Sequence, residues 1–366
     1  MRPESEQELA ECVRDATGPL VVRGGSTRGI GRPVAGAVLE TGGLAGVRLY
    51  EPGALTLVAG AGTPLRAIEA LLASEGQRLP FEPMDHRGLL ATTGEPTLGG
   101  MVAANASGPR RVQAGACRDS LIGVRFVDGA GTIVKNGGRV MKNVTGYDLV
   151  KLMAGSWGTL GVLSEVSFKL LPRPEAGRTL VFGAMTPGAA VDLMAAALGS
   201  PWEVSAASRL PDGRCALRIE GFAASVAYRT EALLRHLRQD AARLDGAESD
   251  AFWHAVRDVA PFHGRAGDVW RLSVKPSDAP DLVTRAEGEA LLDWGGGLVW
   301  LLLPEGCDLR ARLGAFRGHA TLVRAGIETR RRIAPFHPEV PAIAALSRGL
   351  RDRFDPRGIL NPGLMD

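Results

Sequence analysis

The chain has 366 residues, of which 45% are hydrophobic, 5% aromatic and 23% charged, and its formal net charge is +3. This length suits two domains, and the composition is that of an ordinary globular protein. The small net charge and the low aromatic content argue against a nucleic-acid interface. The 48 glycines are nearly twice the average share of about 7% and indicate many turns and close backbone contacts.

The cysteines and the apolar segments argue against a metal cluster and against a membrane span. Cys12, Cys117, Cys215 and Cys307 are widely separated and form no CxxC pair, so we expect no metal site and no iron–sulfur cluster held by this chain alone. The N-terminus lacks the apolar core of a signal peptide. The longest apolar run, residues 295–304, is shorter than the ~20 residues that span a bilayer and is predicted to be a buried strand. We therefore expect a cytoplasmic protein without a transmembrane segment.

Short apolar runs alternate with glycine turns in the first 80 residues. Strands are predicted at Leu20–Arg23 and Leu55–Ala59. A helix follows, with Thr63 as its predicted N-cap and Gly76 as its predicted stop. Its apolar residues share one helical face: Leu65, Ile68, Leu71 and Leu72.

A short helix, a hairpin and a long strand are predicted next. Thr97 is the predicted cap of a small-residue helix that runs through residue 104. The segments Val124–Val127 and Thr132–Val134 flank an Asp-Gly turn and are predicted to form the hairpin. The residues from Val162 to Leu170 alternate between two strand faces. Prolines after this strand place a domain boundary near residue 175.

The region 176–330 is predicted to be a smaller domain in which strands alternate with amphipathic helices. The clearest segments are the strands Ala216–Glu220 and Leu298–Leu303 and the helices Ala223–Gln239 and Asp308–Arg317. A small sheet with helices on one face is expected. The stretch from Gly264 to Pro280 is predicted to be irregular. In the C-terminal segment, 331–366, a helix is expected at Ala342–Phe354, where Ile343, Leu346 and Leu350 recur at helical spacing.

The first candidate site is the glycine-rich turn after the first strand. Glycines after a strand let successive N–H groups point into one concavity, which suits a pyrophosphate, and nearby hydroxyl and guanidinium groups would add donors. The turn is neither GxGxxG nor GxxxxGK[ST], so a Rossmann turn and a P-loop are excluded. An ordinary glycine turn is the alternative interpretation. The residues are Arg23, Gly24, Gly25, Ser26, Thr27, Arg28 and Gly29.

Two further small-residue segments have the same character. Thr97, Leu98, Gly99 and Gly100 would present free N–H groups at a helix N-terminus, and Asn105 is a plausible hydrogen-bond partner just beyond it. Tight helix packing is the alternative. In the segment 155–162, backbone groups of Gly161 and Val162 could bind an adenine edge, with a plain turn into the strand as the alternative.

Taken together, these three segments resemble the flavin-binding (PCMH-type) domain of the vanillyl-alcohol oxidase group, and most closely the FAD-binding subunits of bacterial glycolate oxidase complexes. The resemblance covers about 20–175 and returns at 354–364. It includes the segment 142–148. It implies an α+β fold: an FAD-binding domain of two α/β subdomains at 1–175, a smaller sheet-and-helix cap domain at 176–330, and a C-terminal segment at 331–366 that returns to the first domain.

The resemblance also implies a role for each segment in holding FAD. Residues 24–28 would hold the pyrophosphate, 97–108 would line the ring and phosphates, 161–162 would lie at the adenine, and Asn361 would lie near the isoalloxazine. Within the second segment the implied binding residues include Ala104, Ser107 and Gly108. The first glycine loop has no histidine, and His86 stands between charged residues, so non-covalent FAD is expected.

Catalytic residues are not identified by the pattern. Hydroxy-acid dehydrogenases of this group carry a late GHxGDGN-like motif that supplies a base and metal ligands, and this chain lacks it. His319 or His337 could take a proton from a hydroxy acid, and Arg324 or the run 330–332 could bind a carboxylate. The alternatives are ordinary core or surface imidazoles and a solvated charged face.

The leading hypothesis is an FAD-binding subunit of a glycolate (2-hydroxy acid) oxidase complex. The resemblance implies a larger homologous flavoprotein subunit, an iron–sulfur subunit that carries electrons onward, and association with the inner face of the plasma membrane through the complex. One alternative is a self-sufficient FAD-dependent dehydrogenase for a small alcohol or hydroxy acid. The other is a non-catalytic assembly subunit that FAD stabilises.

Overall fold

Two β-sheets built from separate stretches of the chain organise the fold. The computed structural model describes residues 1–138 and 146–366. One sheet has five strands between residues 47 and 169, and the other has eight strands between residues 176 and 324. The fold therefore has the α+β character expected from the sequence. Most of the predicted segment 142–148 lies outside the described residues.

The strands of the first region are short and mostly antiparallel. They are β1 (Leu20–Arg23), β2 (Ala37–Glu40), β3 (Val47–Glu51), β4 (Thr56–Gly60), β5 (Gln77–Arg78), β6 (Leu121–Val127), β7 (Ile133–Gly137), β8 (Val162–Lys169) and β9 (Leu171–Pro172). The five-stranded sheet has the order β3-β4-β8-β6-β7, with antiparallel neighbours. Strands β1 and β2 form a separate parallel pair. The predicted first strand, hairpin and long strand are confirmed.

Seven helices surround these strands in the described part of the first region. They are α1 (Glu6–Arg14), α2 (Leu65–Ser74), α3 (Arg87–Leu90), α4 (Leu98–Ala103), α5 (Arg111–Ala114), α6 (Cys117–Ser120) and α7 (Leu149–Met153). Helix α2 buries Leu65, Ile68 and Leu72, as its periodicity predicts. The prediction that Thr63 caps α2 is wrong, because its hydroxyl donates to the Gly60 carbonyl instead (2.7 Å).

The eight-stranded sheet is larger than the small sheet expected from the sequence. Its strands are β10 (Ala176–Ala184), β11 (Val204–Arg209), β12 (Arg214–Gly221), β13 (Ala242–Asp245), β14 (Asp268–Val274), β15 (Glu289–Asp293), β16 (Leu298–Leu303) and β17 (Gly318–Arg324). The order is β13-β10-β12-β11-β15-β16-β14-β17. Strand β14 lies inside the stretch 264–280 that was predicted to be irregular. The strand was missed because arginine, serine and aspartate interrupt its apolar residues.

The two faces of this sheet have different partners. One face packs against the helices α8 (Pro187–Leu198), α9 (Ala223–Leu237), α11 (Ala279–Ala286) and α12 (Leu309–Leu313) in the largest apolar core. The other face packs against α10 (Gly246–Arg257) and against Ile30, Met84 and Leu89 of the first region. The sheet therefore covers part of the N-terminal region, and the loop after β1 lies beneath it. The domain limits 1–175, 176–330 and 331–366 stay predictions.

A buried group of charges, which we term the interface ion network, joins the two regions. It consists of Arg78, Glu82, Arg110, Arg218 and Glu220. Arg218 of β12 donates two hydrogen bonds to the Glu82 carboxylate, both 2.8 Å long. Arg110 and Arg78 both donate to Glu220. Every carboxylate of the network is therefore shared between two or more guanidinium groups.

The last part of the chain returns to the first region. It contains α13 (Ile327–Arg332) and α14 (Pro341–Phe354). Beyond α14, Leu360 forms a parallel bridge with Leu20 of β1. The apolar positions Ile343, Leu346 and Leu350 of α14 are exposed, with Leu346 67% accessible. Periodicity placed the helix correctly, but this face packs on nothing within the described residues. None of the helices in the described ranges has the length and apolar character that crossing a membrane requires.

Candidate functional site

A cavity of about 570 Å³ lies where the loop after β1, the start of α4, the turn before β8 and the C-terminal segment meet. The loop contributes its glycines and Thr27, α4 contributes Gly99 and Gly100, and the turn contributes Trp157 and Gly161. Ile327 and Arg330 of α13 form another part of the lining. Its volume falls within the range of roughly 300–1,000 Å³ that small-molecule sites occupy.

The loop after β1 owes its shape to close contact with a second backbone segment. A Cβ on Gly25 would lie 1.5 Å from the Glu95 carbonyl oxygen, and a Cβ on Gly94 would lie 1.7 Å from the Gly25 carbonyl oxygen. Ser26 adopts a left-handed conformation, with φ of 55°. Gly25 and Gly94 must therefore be glycines, because the backbones of the loop and of residues 94–95 are in direct contact. This steric constraint is stronger than that of an isolated turn.

The start of α4 has the predicted cap, but the prediction of free N–H groups there is wrong, because the amides of Leu98 and Gly99 donate to the carbonyls of Thr63 (3.0 Å) and Ala61 (2.7 Å). Thr97 is the N-cap and accepts a hydrogen bond from the Gly100 amide through its hydroxyl oxygen (3.3 Å). A Cβ on Gly99 would meet Ala61 at 2.8 Å, so this glycine is required by packing. A Cβ on Gly100 would meet only Thr97 Oγ1 at 3.3 Å and Arg28 Nη1 at 3.5 Å. Gly100 is thus the glycine of this helix that leaves the cavity open.

Asn361 ties the C-terminal segment to two walls of the cavity. Its Oδ1 accepts from the Val22 amide (2.8 Å) and its Nδ2 donates to the Trp157 carbonyl (2.9 Å). The residue is buried and left-handed, with φ of 46°. Its side-chain amide therefore fixes the relative position of β1 and the turn before β8, while the residue itself contributes to the lining.

The structure brings many of the predicted cofactor-binding residues together. Those that line the cavity are Arg23, Gly24, Gly25, Ser26, Thr27, Arg28, Gly99, Gly100, Gly161 and Asn361. The remaining predicted residues lie outside the lining: Thr97, Leu98, Ala104, Asn105, Ser107, Gly108 and Val162. Their cofactor contacts stay predictions.

Several residues outside the lining have a clear structural role. The Asn105 side-chain oxygen accepts from the Arg118 amide (3.1 Å), and Ser107 Oγ accepts from the Cys117 amide (2.9 Å). The Gly108 carbonyl accepts from the Trp294 indole (3.0 Å). The segment 105–108 therefore anchors the region between α4 and the second sheet.

Positive charge surrounds the cavity. Arg330 donates to the Gly29 carbonyl (2.7 Å), and its buried Nε has no hydrogen-bond partner within 1–138 and 146–366. Arg28 donates through Nε to His86 Nδ1 (3.2 Å) and through Nη2 to the Met84 carbonyl (3.3 Å). Burial and the nearby Arg28 charge lower the pKa of His86 to about 3, so this imidazole is neutral. His86 is buried and does not lie in the exposed polar loop that its charged neighbours suggest.

Three of the catalytic candidates from the sequence, His319, His337 and Arg324, lie outside the cavity lining. His319 is exposed on β17, the edge strand of the second sheet, and its ring centroid is 5.7 Å from that of His337. His337 Nδ1 accepts from the Ala320 amide (3.2 Å). Arg324 donates to backbone carbonyls, among them those of Phe262 and Arg265 at 2.8 Å. Of the arginines at 330–332, Arg330 is the one that lines the cavity.

The cavity fits an extended ligand that carries phosphates. It combines open space beside Gly100, a buried guanidinium nitrogen of Arg330 that has no partner among the described residues, and a further guanidinium at Arg28. Among the described residues, no group of three or more histidine, cysteine, aspartate or glutamate side chains is arranged to hold a metal ion. The site is therefore suited to an anionic organic cofactor.

Comparison with known proteins gives the same picture. A family described as an FAD binding domain matches residues 1–137. The glycolate oxidase subunit GlcE of Escherichia coli K12 is 38% identical over 364 residues, which cover 98% of this chain and 95% of that protein. The similarity to that subunit therefore extends through the second sheet and the C-terminal segment.

Two further comparisons give a partial sequence match and a match in fold. The glycolate oxidase subunit GlcD of Bacillus subtilis is 37% identical over 131 residues, which are 36% of this chain and 24% of that protein. An alkyldihydroxyacetonephosphate synthase structure superposes with a TM-score of 0.71 at 15% identity and covers 99% of this chain and 76% of that one. The second match concerns the fold, and it spans both sheets.

Proposed function

Since the chain belongs to the family of FAD-binding glycolate oxidase subunits, we propose that it is the FAD-binding subunit of a complex that oxidises glycolate, or a closely related 2-hydroxy acid, to the 2-oxo acid. The observation that carries the proposal is the 570 Å³ cavity bounded by the glycine-rich segments and by Asn361. These segments are far apart in the sequence, yet they line the same cavity. Separate structural turns would not need to meet in this way.

Different parts of the cavity would hold different parts of the cofactor. The loop from Arg23 to Arg28 and the guanidinium of Arg330 would hold the phosphates, and the start of α4 at Gly100 would leave room for the flat part of the molecule. FAD supplies the hydride acceptor for the oxidation of an alcohol carbon. The chain itself contributes orientation, because Asn361 fixes two walls and the ring of Trp157 is held edge-on against Phe336, with 5.4 Å between the ring centroids.

The exposed face of α14 supports the proposal that the chain works within an assembly. Ile343, Leu346 and Leu350 form an apolar stripe along one side of the helix, and Val340 continues it at the N-cap. Monomeric proteins rarely expose a continuous apolar stripe of this kind. A larger flavoprotein subunit is the proposed occupant of this face. An iron–sulfur subunit would then take electrons onward, since the described residues contain no cluster site of their own.

The test of the cofactor site is Gly100→Val. The added side chain would point into the cavity, so we expect a folded protein that purifies without flavin absorbance. Gly188→Val is the matched control, because Gly188 also lies in the first turn of a helix and a Cβ there meets nothing within 4 Å. A yellow Gly100→Val protein would overturn the placement of FAD in this cavity.

An anaerobic spectrum with glycolate separates the proposed function from its alternatives. Flavin that the isolated chain retains but glycolate does not bleach is the expected result for a subunit that needs its partner. Bleaching in the isolated chain would establish a self-sufficient dehydrogenase. A folded chain that never retains FAD would leave the assembly role as the explanation.

A further inference from the structure

Three arginines have no carboxylate partner among the described residues, and we term them the cation cluster: Arg28 in the loop after β1, which lines the cavity, and Arg111 of α5 and Arg271 of β14, which share an indole ring. All three are half-buried. Within residues 1–138 and 146–366, no carboxylate oxygen lies within 4.0 Å of their nitrogens. Burial lowers the pKa of Arg28 and that of Arg271 to about 10. These three half-buried guanidinium groups are therefore not paired directly with a carboxylate of the described residues.

An indole ring connects two members of the cluster. The guanidinium carbon of Arg111 lies 4.3 Å from the ring centroid of Trp294, and that of Arg271 lies 5.3 Å from the same ring. Arg271 also lies 6.0 Å from the ring centroid of Trp300. Stacking engages the faces of guanidinium groups and leaves their N–H edges free to bind planar acceptors.

The neutral imidazole of His86 contacts Arg28 and is affected by the charge of Arg271, and it balances the charge of neither. Its ring accepts from Arg28, and both the Arg28 and the Arg271 charges contribute to its lowered pKa. The nearest carboxylates are engaged elsewhere. Arg87 donates to both oxygens of Asp85 (2.7–3.1 Å), and Asp119 accepts from the Ala116 amide (2.8 Å). Asp85 and Asp119 thus act on Arg28 and Arg111 through space without pairing with them, and Arg271 has no carboxylate among the causes of its lowered pKa.

We propose that the cation cluster binds the carboxylate of a small organic acid beside the FAD cavity, with Arg271 and Arg111 as the principal ligands and Arg28 linking this anion site to the cavity. This inference rests on the proposed function and adds the residues that would select an acid over a neutral alcohol. A guanidinium fork matches a carboxylate in bidentate fashion, and the low-polarity surroundings strengthen such a pair. Because Arg28 lines the cavity and the other two do not, the site suits a second, smaller anion better than the phosphates of FAD.

The experiment uses the full chain loaded with FAD and titrated with oxalate, an acid without an oxidisable hydroxyl-bearing carbon, by calorimetry. Loss of a charged hydrogen-bonding partner weakens binding by roughly ten- to a hundredfold. Arg271→Met and Arg111→Met should each raise the Kd for oxalate by that factor, and Arg271→Lys should recover part of the loss. Arg214→Met is the control, because Arg214 is exposed on the same domain and paired with Asp212. Ethylene glycol, the neutral probe, should not bind.

The outcomes distinguish the sources of the anion. Unchanged oxalate affinity in Arg271→Met and Arg111→Met, or an equal loss in Arg214→Met, would overturn the proposal. Loss of FAD from Arg271→Met, with binding of pyrophosphate to the apoprotein lost in parallel, would show that these cations hold cofactor phosphate instead, and would also overturn it. If the parent chain retained no FAD at all, the proposed function would fail first, which the visible spectrum reports separately.

Discussion

Two groups of charge lie where the second sheet meets the N-terminal region, and they are balanced in opposite ways. In the interface ion network, Glu82 and Glu220 are enclosed by three guanidinium groups, and Ser205 donates a further hydrogen bond to Glu220 (2.6 Å). In the cation cluster, three guanidinium groups face indole rings and a neutral imidazole. In the first group every carboxylate is paired with guanidinium groups of the chain, although the buried Nε atoms of Arg78 and Arg110 have no hydrogen-bond partner among the described residues, whereas in the second group no carboxylate faces the guanidinium groups.

This difference indicates that the two groups have different roles: the interface ion network holds the two regions together, and the cation cluster is available to bind an anion. A buried network in which each carboxylate is paired with guanidinium groups has no net positive charge to spare for an anion of the size of a carboxylate, and it fixes the sheet relative to the N-terminal region through geometry that both sides must supply. A cluster of guanidinium groups without carboxylate partners contributes little to fixing that geometry, and its N–H groups can bind an anion. The same residue type therefore serves two purposes within one interface, according to whether a carboxylate of the chain faces it.

The largest expected effect on stability comes from breaking the interface ion network. Glu82→Gln would leave the bidentate Arg218 without its carboxylate in a buried place, and we expect the free energy of unfolding to fall by about 3–5 kcal/mol. Urea unfolding at pH 7 measures it, with Glu231→Gln as the control, because Glu231 is an exposed partner of Arg243. A decrease in the free energy of unfolding of less than about 1 kcal/mol would show that the network does not stabilise the contact between the second sheet and the N-terminal region.

The network also predicts a dependence on pH through a neighbouring carboxyl group. Burial, with a contribution from the Glu82 charge, raises the pKa of Asp293 to about 7. The folded state therefore keeps a proton on Asp293 at pH values where the unfolded chain, whose carboxyl group has its ordinary pKa near 4, has released it. The contribution of Asp293 to the free energy of unfolding is full below that value and falls as the pH rises toward 7. Between pH 5 and 6.5 this carboxyl group alone lowers the free energy of unfolding by about 2 kcal/mol, while the lowered pKa of His86 acts in the opposite direction, so the change in Asp293→Asn should be about 2 kcal/mol more favourable than the change in the parent. Unfolding at both pH values measures this, with the exposed Asp240→Asn as the control. Equal losses in parent and Asp293→Asn would contradict it.

The smallest expected effect is on the stability of the protein after removal of a cluster cation. Arg271→Met removes repulsion from Arg111 but also loses the contacts with Trp294 and Trp300, and these contributions oppose each other. We expect the free energy of unfolding of the apoprotein to change by less than about 1 kcal/mol. A loss comparable to that of Glu82→Gln would show that the cluster is structural, and the contrast between the two groups would disappear.

The sequence predicted the local parts of the site and missed those that depend on long-range packing. The glycine loop and the capped α4 were recognised because each signal lies within a few residues, and both line the cavity. Arg271 was missed because its strand carries polar residues on one face and has no uninterrupted apolar period. The exposure of α14 could not be predicted, since periodicity shows that a helix has an apolar face without showing what covers it. Thr63 has the right residue type for a cap, but a backbone carbonyl nearby binds its hydroxyl instead.

The bond between Val22 and Asn361 joins residues that are 339 positions apart. A ribosome adds about 5–20 residues each second, so roughly 20–70 s separate the appearance of these two walls of the cavity. During that interval the glycine loop exists without the segment that fixes its far side, and the whole second sheet is made in between. A complete cavity therefore requires the segment that contains Asn361, and a chain interrupted within the second sheet would hold the glycine loop without its far wall.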